Sequence, residues 1–375
     1  MARHHDRAPQ ELPACYALVH PGLETVAADE IVRDLGGEIK KTSRGVIVFR
    51  VPVIDEDLLK LRTVEDVFLL AWGTDALTYR AADLKQIRAW TAQYKRWPQL
   101  FEIHRAMRPK IKGKPTYHLV AQMQGKHVYM RADAGKAISR GLDEKIPPTF
   151  ERVDEDAYLE IWLTIRGSMG ICGVRLSDRS MRHRTYKSEH MPASLRPTLA
   201  AAMVRLADAH HGQIVLDPMC GAGTILAEQI AMSKAKRTGF ISVWGGDIEQ
   251  EAIRAAYANL QSVGPTNFTR WDATRLPIAS ESIDRIVSNP PFGRQLSTPE
   301  AIVPLYREMI READRVLKPG GKAVYLVSEM EVLRDAIHPT TWQATRQMKV
   351  QVLGQPAMLG VWQKPLASGT VIESE

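Results

Sequence analysis

Apolar positions along this 375-residue chain recur with two different periods, and each change of period marks an element. Cys15 to Val19 is a continuous apolar run and predicts a strand. Leu23, Val26, Ala27, Ile31 and Leu35 follow at helical spacing, and Gly36-Gly37 stops that helix. Gly45 to Val51 alternates and is rich in β-branched residues, which predicts a second strand. Leu58 to Leu61 begins a short helix, and Val67 to Ala71 a further strand. A second α/β stretch carries a helix over Leu84 to Tyr94, strands at Phe101 to Arg105 and Tyr117 to Ala121, and a helix from Ala132 to Leu142. Strands at Ala157 to Ile165 and Met169 to Leu176 close it, joined by Arg166-Gly167-Ser168.

The second half repeats strand and helix in strict alternation. Pro197 opens a helix running to Ala209. Ile214 to Leu216 is a buried strand, and the loop from Asp217 to Thr224 leads into a helix over Ile225 to Met232. Ile241 to Trp244 is the next strand, ending at Asp247, with its helix over Glu249 to Leu260. A third strand around Phe268 ends near Asp272-Ala273, Ile283 to Ser288 is the fourth, and Ala323 to Ser328 the fifth. A helix from Pro299 to Leu317 precedes the fifth, with Gly320-Gly321 as its stop. Such alternation predicts an α/β fold with a doubly wound, mostly parallel sheet and a ligand at the carboxyl ends of its strands.

Composition narrows the class. An apolar fraction of 45% and a charged fraction of 25% are those of a soluble globular protein. No apolar run is long enough to span a bilayer, and Met1 to Arg7 lacks the apolar core of a secretion signal. The three cysteines (Cys15, Cys172, Cys220) lack metal-site spacing and cannot all pair, so a reducing cytoplasm is the simplest home. His210-His211 are adjacent and cannot share a helical face, and no metal is expected. The net charge of +7 suits a polyanionic partner. Its distribution says more: Arg105, Arg108, Lys110, Lys112 and Lys114 form one cluster, and Arg175, Arg179, Arg182, Arg184 and Lys187 a second. Both precede the alternating half, which places phosphate contact away from the chemistry.

The loop from Asp217 to Thr224 holds one Gly-x-Gly and no third glycine, and it opens on a carboxylate. A pyrophosphate disfavours that neighbour, whereas S-adenosylmethionine, with an ammonium and a sulfonium, is favoured by it. Asp247 is placed to take ribose hydroxyls, and Asp272-Ala273 to contact adenine. Cys220 lies inside the loop as a small packing residue rather than a nucleophile. Asn289-Pro290-Pro291-Phe292 ends the fourth strand. An exocyclic amine on a purine is a poor nucleophile, and hydrogen-bond acceptors can hold its nitrogen in line with an incoming methyl. The Asn289 side chain and the Pro290 carbonyl can serve, because two prolines restrict the loop. Phe292 offers a face on which an extruded base can stack.

The tetrapeptide resembles the Asn/Asp-Pro-Pro-aromatic signature of nucleobase amino-methyltransferases, and the alternating half resembles class I S-adenosylmethionine-dependent methyltransferases. The basic segment, with Arg131, Lys136 and Arg140 on its following helix, resembles a THUMP domain. Together they resemble the THUMP-containing tRNA guanine-N2 methyltransferases. That resemblance implies a ferredoxin-like unit over residues 1–72, a THUMP domain over 73–176, a linker over 177–197 and a Rossmann-fold catalytic domain over 198–375. It implies S-adenosyl-L-methionine held by Asp217, Met219, Cys220, Gly221, Gly223, Thr224, Asp247, Ile248, Asp272, Ala273 and Asn289, with Pro192, Ser194 and Leu195 closing over it. It implies catalysis at Asn289, Pro290, Pro291 and Phe292 and tRNA contacts at the first basic cluster, Arg131, Arg140, Arg182, Arg184 and Arg294, in a monomer. Other nucleic-acid amino-methyltransferases and a non-catalytic RNA-binding subunit are the alternatives.

Overall fold

In the computed structural model the described residues are 11–108, 111–189, 191, 194–236, 239–292, 301–352 and 354–366. They form two compact units: residues 11–18 with 28–181, and Val19–Ala27 with described residues between 182 and 366.

The first unit is built on one sheet. The elements in chain order are β1 (Cys15–Val19), α1 (Glu24–Leu35, divided between the units after Ala27), β2 (Glu38–Ser43), β3 (Val46–Arg50), β4 (Val64–Thr74), α2 (Ala82–Gln93), α3 (Trp97–Met107), β5 (Thr116–Gln124), α4 (Arg131–Leu142), β6 (Glu151–Arg152), β7 (Leu159–Arg166), β8 (Met169–Arg175) and α5 (Arg179–His183, divided after Met181). The strands lie in the order β2-β3-β1-β4-β8-β7-β5-β6. Tyr16 stacks on Phe68 at 4.5 Å, and Phe68 meets Trp162 at 5.5 Å, so aromatic packing runs across three strands of this sheet. Gly173 permits it: a Cβ there would stand 2.7 Å from the Tyr16 ring and 2.1 Å from the Leu69 carbonyl oxygen.

Three expectations change here. Phe101 to Arg105 is helical, inside α3, and not a strand. Pro98 occupies its first turn, and Trp97, Leu100 and His104 are buried at spacings of three and four, a helical stripe that the short run concealed. The boundary expected at 72/73 falls within β4, and the sheet continues unbroken across it. The segment 177–197 is not purely a linker, since it contains α5.

The second unit contains α6 (Pro197–Ala207), β9 (Ile214–Asp217), α7 (Thr224–Lys236), β10 (Ser242–Asp247), α8 (Gln250–Leu260), β11 (Asn267–Arg270), β12 (Ile283–Ser288), α9 (Ile302–Val316), β13 (Leu317–Val327), α10 (Met330–Ile337), β14 (Gln343–Val352) and β15 (Gln355–Gln363). The strand order is β11-β10-β9-β12-β13-β15-β14. Pairing is parallel from β11 through β13 and antiparallel for β13-β15 and β15-β14. Gly320 and Gly321 lie inside β13 rather than stopping a helix, with the Gly320 N–H donating to Lys364 O at 2.9 Å. The terminal hairpin escapes the sequence pattern because β14 is largely exposed and polar.

Order reverses between β9 and β12, whose central positions pair as Val215 with Arg285 and Leu216 with Ile286. A crevice at such a reversal is where doubly wound sheets hold ligands. It puts the tip of β9, Asp217, beside the tip of β12, where Ser288 precedes Asn289.

In the first unit, Arg175 is buried against Asp66 at 2.6 Å and Glu160 at 3.0 Å, and Ser177 Oγ donates to Asp66 at 2.9 Å. Removing one partner leaves a buried charge uncompensated. Asp66→Ala is expected to destabilise the first unit by about 3 kcal/mol, read as a lower midpoint in denaturant unfolding.

Candidate active site

A cavity of about 550 Å³ opens at the reversal point of the second sheet. Of the expected cofactor residues, Ser194, Leu195, Asp217, Met219, Cys220, Gly221, Thr224, Asp247, Ile248, Asp272, Ala273 and Asn289 line it. Gly223 does not. Its φ of +76° turns the chain into α7, and its missing Cβ lets α8 approach, since a Cβ would stand 3.2 Å from that of Ala256. Pro192 and Arg294 lie outside the described residues, as does Lys110. Met191, Pro218, Ala222, Ile225, Glu249, Pro291 and Leu305 also line the cavity. Sequence patterns mark none of them as cofactor contacts except by adjacency to the loop.

The acidic tips are organised by backbone donors. Asp247 accepts from Gly221 N at 2.9 Å and Glu249 N at 3.0 Å, so the end of β10 fixes the glycine loop. Trp271 fixes it from the next strand: its indole donates to Pro218 O at 3.0 Å while the ring packs where a Cβ on Gly246 would stand. Asp272, on the cavity wall, accepts from Thr274 N and Oγ1 at 2.9 and 2.8 Å in a local turn. Asp217 is buried, accepting from Ser288 Oγ at 2.8 Å and from Met219 N at 3.3 Å. Burial raises its carboxyl to about 7, with the nearby Asp247 adding to the rise. Burial also pushes the Cys220 thiol well above its ordinary value, which suits a packing side chain and not a nucleophile.

Two buried polar atoms on this cavity wall, Asn289 Oδ1 and Ser194 Oγ, find no partner among the described residues. Buried polar groups are ordinarily satisfied, so such orphans point to a ligand that completes them. Carboxylates set round them suit a cationic, hydroxyl-rich donor. After Asn289 the loop turns inward: Pro290 is buried, Pro291 O accepts from the Tyr306 hydroxyl at 3.1 Å, and Phe292 is 6% exposed. Phe292 is packed and does not line the cavity, contrary to the expected stacking face.

The segment entering the site is pinned by buried side chains. Glu228 accepts from Arg184 Nε at 3.1 Å and from the Tyr186 hydroxyl at 2.7 Å. Arg184 is therefore a structural ion-pair partner rather than the exposed RNA contact expected of it. Lys187 Nζ donates to Leu195 O, and burial lowers its ammonium to about 8. Asn259 accepts from Glu189 N at 2.9 Å and donates to Glu189 O and to Ala222 O, joining this segment to the glycine loop. Among the described residues no group of three or more His, Cys, Asp or Glu could hold a metal ion.

Residues 184–356 match the UPF0020 family, an RMKL-like methyltransferase domain. This match, the strand order and the acidic tips define the second unit as an S-adenosylmethionine-dependent methyltransferase of Rossmann type. The chain aligns with the tRNA (guanine(6)-N2)-methyltransferase of Thermus thermophilus at 30% identity, over 86% of this chain and 91% of that protein. The human U6 snRNA (guanine-N(2))-methyltransferase THUMPD2 is 34% identical over 174 residues, 46% of this chain and 32% of that one. The crystal structure of TrmN from Thermus thermophilus shares the fold, with a TM-score of 0.74 at 24% identity over 94% of this chain and 99% of that one. The chain belongs to the family of tRNA guanine-N2 methyltransferases.

The raised Asp217 carboxyl has a definite sign. In the cofactor-free protein the folded state holds a proton that the unfolded state has released, so stability falls as pH rises from about 4 to about 7. Asp217→Asn removes that component. Cofactor binding, which favours the carboxylate, is expected to strengthen in wild type as pH rises through about 7 and to be flat in the variant, by titration calorimetry.

Proposed function

We propose that this chain methylates the exocyclic N2 of a guanosine in tRNA, in the acceptor stem at the position-6 type of site, using S-adenosyl-L-methionine. The observation that carries the reading is the unpartnered, buried Asn289 Oδ1 on the wall of a cavity ringed by Asp217, Asp247 and Asp272. A 30% identical relative spanning both units supports tRNA, since the match is not confined to the catalytic half. The U6 snRNA enzyme matches over only 46% of this chain, so it speaks to the chemistry more than to the RNA.

The target guanine leaves its stack to reach the cavity, because N2 inside a helix is not accessible to an in-line methyl. Asn289 Oδ1, on the cavity wall, accepts from the N2 amine and aims the nitrogen. Pro291 and Leu305 supply apolar wall beside the base. When bound, the donor would supply an electrophilic methyl; Asn289 would hold N2 in line to receive it, and the N2 proton released on transfer would pass to solvent. Asn289 acts by positioning and electrostatics, with no covalent step. Asp217 and Asp247 hold the cationic and ribose parts, and Asp272 with Ala273 faces adenine.

The first unit is the RNA-binding part in this reading, a THUMP-type module with its preceding ferredoxin-like elements, and residues 198–375 form the catalytic domain. Arg105, Lys112, Lys114, Arg131 and Arg140 are exposed, as phosphate contacts require, whereas Arg108 is engaged with Ser177 O and Asp178. Arg182 is half-buried and already has a partner, so it is a weaker candidate. No helix of the described residues is long and apolar enough to cross a membrane.

Asn289→Ala is expected to lower transfer to an unmodified tRNA transcript by about 100-fold or more, a larger loss than the weakening of cofactor affinity that calorimetry reads on the same variant. Digestion and mass spectrometry of the wild-type product should yield N2-methylguanosine. Another nucleoside, or modification of a U6-type RNA in preference to tRNA, would contradict the assignment.

A further inference from the structure

In the first unit, Tyr79 is 41% exposed and holds a left-handed backbone, φ +65°, that an aromatic residue rarely adopts. The loop that fixes it comes from elsewhere: Val128 N donates to Tyr79 O at 3.0 Å, and Leu77 N to Ser168 O at 3.0 Å. The ring stacks on His127 at 4.8 Å and 25°, and His127 meets Tyr129 at 5.0 Å, so three rings form a ladder ending at the surface. Gly167 leaves room for it, since a Cβ there would stand 3.1 Å from the Tyr79 hydroxyl. Both ring nitrogens of His127 are buried with no partner among the described residues. An arrangement that sacrifices hydrogen bonds to keep an aromatic ring propped at the surface does not serve packing alone.

The charge beside the ladder is of one sign where it is available. Arg80 follows Tyr79, Lys126 precedes His127, and Arg131 lies two residues past Tyr129. All are exposed, and no ion pair or hydrogen bond joins their side chains to another described residue. The nearby acids are consumed: Asp83 is buried and accepts from Thr78 and Tyr129, and Asp133 accepts from Met130 N at the start of α4. An exposed aromatic face flanked by unpaired cations is the recognition chemistry of an unpaired nucleobase between phosphates.

We propose that Tyr79, propped by His127, is a stacking platform for one unpaired nucleobase of the bound RNA, with Arg80 and Lys126 on the adjoining phosphates. This deepens the RNA-binding reading of the first unit and rests on it.

Full-length protein is titrated with a fluorescent tRNA transcript and with a blunt RNA duplex that has no unpaired nucleotide. Tyr79→Leu, which keeps apolar packing on His127 but loses the π face, is expected to weaken tRNA binding by on the order of tenfold and to leave duplex binding unchanged. Arg80→Ala with Lys126→Ala weakens both and lowers the salt dependence. Tyr79→Trp keeps tRNA affinity, and its added indole fluorescence is quenched by tRNA. Melting temperature and S-adenosylhomocysteine affinity are read on each variant; should Tyr79→Leu be destabilised, the indole quench decides. Equal tRNA affinity in folded Tyr79→Leu, or a new indole that tRNA does not quench, overturns the platform. Wild-type protein that binds neither RNA overturns the RNA reading beneath it instead.

Discussion

The hydrogen bond from Ser288 Oγ to Asp217 Oδ1 ties together the two strand tips on which the site depends. It exists because β9 and β12 are neighbours although β10, β11 and their helices intervene in the chain. Through it, the carboxylate that begins the glycine loop and the residue before Asn289 share one buried contact. In the proposed reaction, the carboxyl nearest the cofactor's charge thus touches the strand that carries Asn289. Binding and orientation are mechanically adjacent, with no loop between them to absorb error.

Around that contact, the remaining devices fix the glycine loop from several sides. Asp247 holds it from β10, Trp271 from the end of β11, and Asn259 from α8. Asn259 is the most economical, since its amide satisfies both Glu189 backbone groups and the Ala222 carbonyl. Trp271 and Asn259 need touch no substrate to matter. They determine where the groups that do touch it can stand.

Much of this is legible in the chain because parallel strands buried on both faces read as apolar runs with acids at their ends. Ile283 to Ser288 and the ordered tips Asp217, Asp247 and Asp272 are such signals. Orientation is not legible. Phe292 reads as a base-stacking face and is packed inward, because a tetrapeptide does not say which way its loop turns. Arg184 reads as a phosphate contact and is held by Glu228, forty-four residues away, a pairing that only folding reveals. The Trp97–Met107 helix is hidden for a related reason: five residues are too few to separate a period of 2 from one of 3.6. Tyr79 carries no signal at all, since its backbone conformation and its stacking partner both come from distant segments.

The continuity of β4 through the first sheet reaches beyond architecture. With β1 on one side and β8 on the other, this strand belongs to both halves of what the sequence divides at residue 72. A chain shortened to begin after that point would present β8 as a long, apolar, unsatisfied border, the kind of margin that recruits strands from other molecules. The first sheet is thus indivisible at residue 72: a cut there uncovers the flank of β8 that β4 pairs with along its length.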